Sequence, residues 1–344
     1  MGMINTRLIT IMSDQLFKKK IIHFILKNPI HRLGIYFLLF SSGITAQVKL
    51  KDTASATIQT VEITGRLSRD YTSDYSFAAT KVAMKNKDLP LTLNTITKEL
   101  INDRQAFKLG DVLKNVAGVS TASFYNQYSI RGISQNEEGQ IINGMRTRQY
   151  YFLQPMTSHI DRVEIFKGPA SITMSSADPG GTINMVTKKP LPNSRYEVSL
   201  SGGSFDTYRQ TTDLTGPINK SKTLLYRFNG AHQDAKSFRD NVRNDGFLIA
   251  PSLSFVPNEK TSLNVEMIYN EMNGTLDRGQ PIFGAVAGKT DLHSTPISLN
   301  LGAPGDFFST KDLTFMGSLS HHFNKNISFN AAYMKQFWDE NTQE

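Results

Sequence analysis

From residue 195 onward the chain alternates apolar and polar positions with a period of two. In Leu263-Asn264-Val265-Glu266-Met267-Ile268-Tyr269-Asn270 every odd position is apolar or aromatic, and every even one except Ile268 is polar. Tyr226-Arg227-Phe228-Asn229 and Ile327-Ser328-Phe329-Asn330 alternate in the same way. Successive strand side chains point to opposite faces, so this period predicts strands with one apolar and one polar face. Seven such runs fall near 195–203, 207–215, 223–234, 246–256, 261–272, 311–323 and 326–338. The connections at 216–222, 257–260 and 324–325 are short, whereas 235–245 and 273–310 are long. A soluble sandwich also alternates its faces. Short turns on one side and long loops on the other are instead the pattern of an outer-membrane barrel.

Upstream the pattern changes. Leu109, Val112, Leu113 and Val116 fall at helical spacing, which predicts a short helix with one apolar face, and Gly118 suits a left-handed C-cap. Ile160, Val163 and Ile165 among charged neighbours predict a strand with one buried face. Gly168-Pro169 then turns the chain, Pro179-Gly180-Gly181 turns it again, and a second strand runs from Thr182 to Thr187 before Lys188-Lys189-Pro190 ends it. Taken alone, this is a strand–turn–strand unit that any α/β domain can contain.

The first 46 residues read as an export signal. Lys18-Lys19-Lys20, Lys27 and Arg32 form a basic region, Leu33 to Phe40 an apolar core, and Thr45-Ala46 a small-residue cleavage site before Gln47. The apolar stretch is too short to span a bilayer. The lead-in is long for a signal, so Met12 is an alternative start. The leader holds six of the 38 Lys/Arg and one of the 30 Asp/Glu, leaving 32 and 29 and a mature charge near +3. No basic stripe with interleaved aromatics is present, which argues against nucleic-acid binding. The absence of cysteine excludes disulfides and thiolate chemistry.

The segment from Ile160 to Ser171, followed by Asp178 to Pro190, resembles the end of the plug domain of TonB-dependent outer-membrane receptors, in the branch that imports iron–siderophore complexes. Four upstream segments match in order. Lys87 to Ile96 resembles the first plug strand, Leu109 to Val119 the short helix and its closing glycine, and Tyr128-Ser129-Ile130-Arg131-Gly132 with Ile141-Ile142-Asn143-Gly144-Met145 the next two strand ends. The chain departs from the family at Thr173-Met174-Ser175-Ser176-Ala177, where a Leu-Tyr-Gly turn is usual. The resemblance implies an all-β membrane barrel, here the first seven or so antiparallel strands of an expected 22, preceded by a small α+β plug. It divides the chain into a signal peptide (1–46), a flexible segment (47–78), a plug (79–190) and the first part of a barrel (191–344). About 300 further residues would complete such a barrel. An open sheet leaves unpaired backbone groups at several kcal/mol each in hydrocarbon, so the chain is expected to be the front portion of a longer receptor.

The implied function is import of a ferric siderophore across the outer membrane of a Gram-negative bacterium, with the chelate as cargo and no resident cofactor. The alternatives are haem, cobalamin or another metal chelate, or a remnant that does not transport. The implied partners are outer-membrane lipid and TonB with its inner-membrane ExbB/ExbD motor. Thr60-Val61-Glu62-Ile63-Thr64 fits the TonB box, because edge pairing with a partner strand needs an extended segment with β-branched residues; an ordinary linker reads the same way. The short interval between Gln47 and Thr60 argues against an added signalling domain. Gln135, Asn136 and Gln140 are candidate hydrogen-bond donors to a hydroxamate- or catecholate-type chelate, and Arg146, Arg148, Tyr150 and Tyr151 offer charge and flat surfaces to an anionic complex. Solvated loop polarity and aromatics packed on the barrel wall account for these residues equally well. Arg131 and Glu164 are assigned to buried plug architecture, and Gly132, Gly168, Pro179, Gly180 and Gly181 to its turns. Catalysis finds no motif: Pro179-Gly180-Gly181-Thr182 lacks the lysine of a phosphate loop, and His321-His322 are adjacent on a strand and face opposite sides.

Overall fold

In the computed structural model, the described residues are 71, 73, 75–76, 84–88, 92–123, 125–135, 140–148, 151–168, 179–279, 296–303, 305–324 and 326–343. The expected leader, the TonB box at Thr60–Thr64, and Asn136 and Tyr150 lie outside them.

The plug is built on a five-stranded sheet in the order β3-β9-β10-β7-β8. A hairpin of β1 (Tyr75–Ser76) and β2 (Met84–Lys85) precedes it, placing paired backbone inside the segment expected to be flexible. The remaining plug strands are β3 (Thr92–Thr97), β4 (Val119–Thr121), β5 (Tyr128–Ile130), β6 (Ile133–Ser134), β7 (Gln140–Ile142), β8 (Met145–Arg146), β9 (Ile160–Lys167) and β10 (Gly181–Thr187). Helices α1 (Lys98–Asp103) and α2 (Leu109–Leu113) follow β3. β10 runs parallel to β7 and antiparallel to β9, while β4-β5-β6 form a separate small sheet.

Three local readings need correction. β9 is buried along almost its whole length instead of on one face: Asp161, Glu164, Phe166 and Lys167 are all buried, because strands and wall cover both its sides. Helix α2 ends at Leu113 with Lys114 as its C-cap, so Gly118, although left-handed at φ +72°, serves the turn into β4 and not the helix cap. Arg131 is exposed, not buried. It takes φ +54° and Gly132 φ +80° between β5 and β6, and Asn143-Gly144 (φ +50° and +75°) repeats this between β7 and β8. Two positive φ values in a two-residue loop suit the right-handed twist of a tight hairpin.

Gly180 and Gly181 are required by close approach. A Cβ on Gly180 would lie 2.4 Å from the Ile130 carbonyl oxygen, and one on Gly181 2.3 Å from that of Phe166. Backbone cannot yield as a side chain can, so the turn into β10 admits only glycine.

The wall is an antiparallel meander in sequence order: β11 (Arg195–Gly203), β12 (Thr207–Pro217), β13 (Leu224–Lys236), β14 (Arg243–Asn258), β15 (Thr261–Thr275), β16 (Phe307–His322) and β17 (Ser328–Gln343). All seven expected strands are present. One connection differs: 235–245, expected to be long, shrinks to the six residues 237–242, because β13 and β14 remain paired from Asp234↔Asp245 to Lys236↔Arg243. There the outward residues are charged, so the apolar alternation stops before the strands do.

The two faces of the wall differ. Inward positions carry buried Arg227, Asn229, Ser254, Glu266, Asn270 and Thr314. Outward positions expose Leu253, Phe255, Leu263, Val265, Phe315 and Leu319. On β14 the outward apolar series runs from Phe255 to Phe247, with Asp245 next. Those eight residue steps span about 26 Å at roughly 3.3 Å each, close to the ~25 Å apolar band of outer-membrane barrels. A row of charge begins above it, where Glu271 pairs with Lys311 across β15 and β16 at 3.9 Å.

One apolar core joins the two parts. Ile96, Leu109, Val112, Ile130, Val163 and Ile183 of the plug form a continuous cluster with Ala231, Leu248, Ala250, Ile268 and Met316 of the wall. Met156 of the plug enters the wall at Gly246, where a Cβ would lie 2.3 Å from its methyl carbon.

Candidate functional site

Buried charge organises the inside of the plug. Glu164 is fully buried on β9 and accepts from Arg162 Nε at 2.8 Å and from Asn184 Nδ2 of β10 at 2.9 Å. Asn184 Oδ1 in turn accepts the Gly144 N–H at 3.0 Å, tying the β7–β8 turn to the sheet. Asp161 bridges Lys98 of α1 (3.4 Å) and Arg162 (3.5 Å). A buried carboxylate is tolerated when its charge is paired and its oxygens are hydrogen-bonded, and Glu164 meets both conditions.

A second set of contacts fastens the end of β10 to the wall. Lys188 Nζ lies 3.1 Å from Asp213 of β12, whose carboxylate also receives a two-pronged contact from Arg227 of β13 at 2.8 and 2.7 Å. Arg227 donates again to the Lys189 carbonyl at 2.7 Å. Glu266 of β15 accepts from Thr187 Oγ1 at 2.5 Å and pairs with Lys189. Burial lowers the pKa of Lys188, with Asp213 opposing the shift. His159 sits beside this seam, where burial, aided by the Lys188 charge, lowers its pKa to about 3. Its ring is therefore neutral.

The expected ligand residues divide into two groups. Gln135 and Gln140 are buried inside the plug: Gln135 Nε2 donates to the Gly181 carbonyl at 3.0 Å, and Gln140 Nε2 to Asn126 Oδ1 at 3.1 Å. Both amide nitrogens bond within the plug. Arg148 and Tyr151 lie instead toward the end of the wall that carries the connection 276–306, and Arg146 is exposed on β8. The Arg148 N–H donates to Gln336 Oε1 of β17 at 3.0 Å, and its guanidinium lies 5.6 Å from the Trp338 ring centroid.

Tyr151 belongs to an aromatic cluster that the residue pattern does not single out. Tyr125, Tyr151 and Phe152 from plug loops meet Phe308 of β16, together with Leu153, Met272 and Leu276. Tyr125 is 5.3 Å from Tyr151, 4.9 Å from Phe152 and 5.6 Å from Phe308, and Phe152 stacks on Phe308 at 5.6 Å. Arg278, exposed at the root of the long connection, lies 5.9 Å from the Phe152 ring. The run Tyr150-Tyr151-Phe152 is the one visible signal for this cluster; Tyr125 and Phe308 join it only through the fold. His321 and His322 do face opposite sides of β16, and His321 Nδ1 lies 2.9 Å from Thr261 Oγ1.

A plug packed against an amphipathic wall, with an aromatic cluster at the long-loop end, matches known proteins over about three quarters of the chain. Residues 85–182 match the TonB-dependent receptor plug domain. The chain carries a plug of the TonB-dependent receptors. The metal-pseudopaline receptor CntO of Pseudomonas aeruginosa is 32% identical over 266 residues, covering 76% of this chain and 37% of that receptor. The ferripyoverdine receptor of the same species is 28% identical, covering 78% of this chain and 34% of its own length. The pyoverdine outer membrane receptor FpvA from Pseudomonas aeruginosa PAO1, solved bound to pyoverdine, superposes with a TM-score of 0.74 at 24% identity over 82% of this chain and 42% of that structure, a likeness of fold. This chain thus spans little more than a third of the receptors it matches. Those relatives are receptors for metal-pseudopaline and ferripyoverdine, and the family resides in the outer membrane of Gram-negative bacteria.

Proposed function

We propose that the complete receptor binds a ferric siderophore or a related metal chelate at the long-loop end and imports it to the periplasm with energy transmitted by TonB. The observation that carries this reading is half-buried Tyr151 at the edge of the buried cluster of Tyr125, Phe152 and Phe308, with exposed Arg278 over the Phe152 ring. Flat rings and guanidinium groups together suit a large anionic complex. The pseudopaline relative favours a metal chelate that need not be ferric.

Among the described residues, the outer edges of β11 and β17 have no strand neighbour. Unpaired backbone groups cost several kcal/mol each in hydrocarbon, so the working wall pairs both edges with further strands. Thr60–Thr64 is the segment proposed to meet TonB, after export under the control of the N-terminal signal. The test is iron-limited growth of cells that rely on the complete receptor, supplied with ferripyoverdine or metal-loaded pseudopaline. Growth is expected on at least one, and V61P abolishes it while surface binding persists. Undiminished growth of V61P removes Thr60–Thr64 from the mechanism, and failure on every chelate tried, with the receptor present at the surface, removes the chelate reading.

A further inference from the structure

Tyr125 reaches beyond its aromatic neighbours. Its phenol oxygen accepts the Asp277 N–H at 2.7 Å, joining a plug loop to the root of the connection that follows β15. Asp277 is buried, and its carboxylate holds buried Arg239 from the β13–β14 turn, with Nε at 2.6 Å and Nη2 at 3.0 Å. The same carboxylate accepts the Gly279 N–H at 2.9 Å, closing a turn in which Gly279 takes φ +81°. Arg278 stands between these two residues and is directed over Phe152. One plug hydroxyl is thereby linked, through one wall aspartate, to arginines from two separate wall connections. A phenylalanine ring would fill the aromatic cluster equally well, so packing does not account for the hydroxyl.

We propose that Tyr125 is a positioning residue for cargo capture: its hydroxyl fixes Asp277 and so sets Arg278 over Phe152, with Arg239 as the buried counter-charge. The mouth then presents this cation in its binding arrangement only while the plug is seated. This inference rests on the chelate-receptor reading above.

The test is Y125F in the complete receptor, read by amide exchange at Asp277, by affinity for metal-loaded pseudopaline and ferripyoverdine, and by melting temperature. Exchange at Asp277 is expected to speed up about tenfold, and affinity to fall about tenfold, the loss of one buried hydrogen bond. Melting temperature and protection over 307–322 should not change. D277N, which leaves the Tyr125 ring in place and weakens the hold on Arg239, should reproduce the affinity loss. Unchanged exchange at Asp277 overturns the proposal, as does faster exchange with unchanged affinity. A uniform loss of protection across β16 also overturns it, since that marks a purely structural role. If the unmodified receptor binds neither chelate, the functional reading fails, and the exchange measurement alone decides whether Tyr125 holds Asp277.

Discussion

The plug and the wall solve opposite problems with the same backbone. The wall faces lipid on one side, so its strands alternate strictly and its outward residues, such as Leu263, Val265 and Phe315, need only be apolar. The plug has no lipid face; β9 is covered on both sides and carries Asp161 and Glu164 into the interior, where each needs a named partner. The wall is thus tolerant in detail and strict in period, whereas the plug is loose in period and strict in partner. The plug is fastened to the wall by polar contacts at the end of β10 as well as by the shared apolar core, and water can replace the polar contacts once they open. A part that must remain in the membrane is held by continuous pairing, which water cannot reach.

This contrast can be broken from either side. In the complete receptor, E164A removes the partner of Arg162 and Asn184 from a site with no solvent, and the plug should lose about 3–5 kcal/mol. Hydrogen exchange should rise across β9 and β10 while β13–β16 stay protected; equal loss in the wall would show that the two parts do not differ as described. V265R places charge on the lipid face and should cost the wall about 2–4 kcal/mol if it lies near the bilayer midplane. The readout is the fraction of receptor that folds into lipid vesicles, and an unchanged fraction would place Val265 outside the apolar band.

The seam between the two parts responds to smaller changes. G246V fills the socket that receives Met156, and overpacking of this kind costs about 1–3 kcal/mol. It should loosen the plug in limited proteolysis without altering folding of the wall. His159 gives the seam a pH dependence. Its folded pKa of about 3 lies below the ordinary 6.5, so the unfolded state binds a proton that the folded state does not. The stability contribution is complete above about pH 6.5 and is lost as pH falls toward about 3, with a slope approaching ~1.4 kcal/mol per pH unit. H159Q should flatten that slope in acid unfolding measurements on the complete receptor; an unaltered slope would assign the acid response to other groups.

The wall was legible because its governing force is local and periodic. The run at 195–203 coincides with β11, and the ends of the others lie no more than five residues from the observed ones. The misses fall where the strands leave hydrocarbon: Arg243 and Asp234 pair at 2.6 Å on the outward face of β13 and β14, so pairing continues where apolar alternation has stopped. In the plug, the turn residues were legible from their chemistry, as Gly180 and Gly181 show. The roles of polar side chains were not, because they depend on distant partners. Gln135 meets Gly181 46 residues away, and Tyr125 meets Asp277 152 residues away. No spacing rule connects such pairs. Arg131 reversed expectation for a related reason: its positive φ sets it in a hairpin turn that turns the side chain outward.

The most direct test of the account is accumulation of a radiolabelled metal chelate by cells carrying the complete receptor, with and without a protonophore. Surface binding that survives the protonophore, with internal accumulation that does not, is the predicted result. Accumulation that continues unchanged in de-energised cells would contradict the claim that this plug is opened by work.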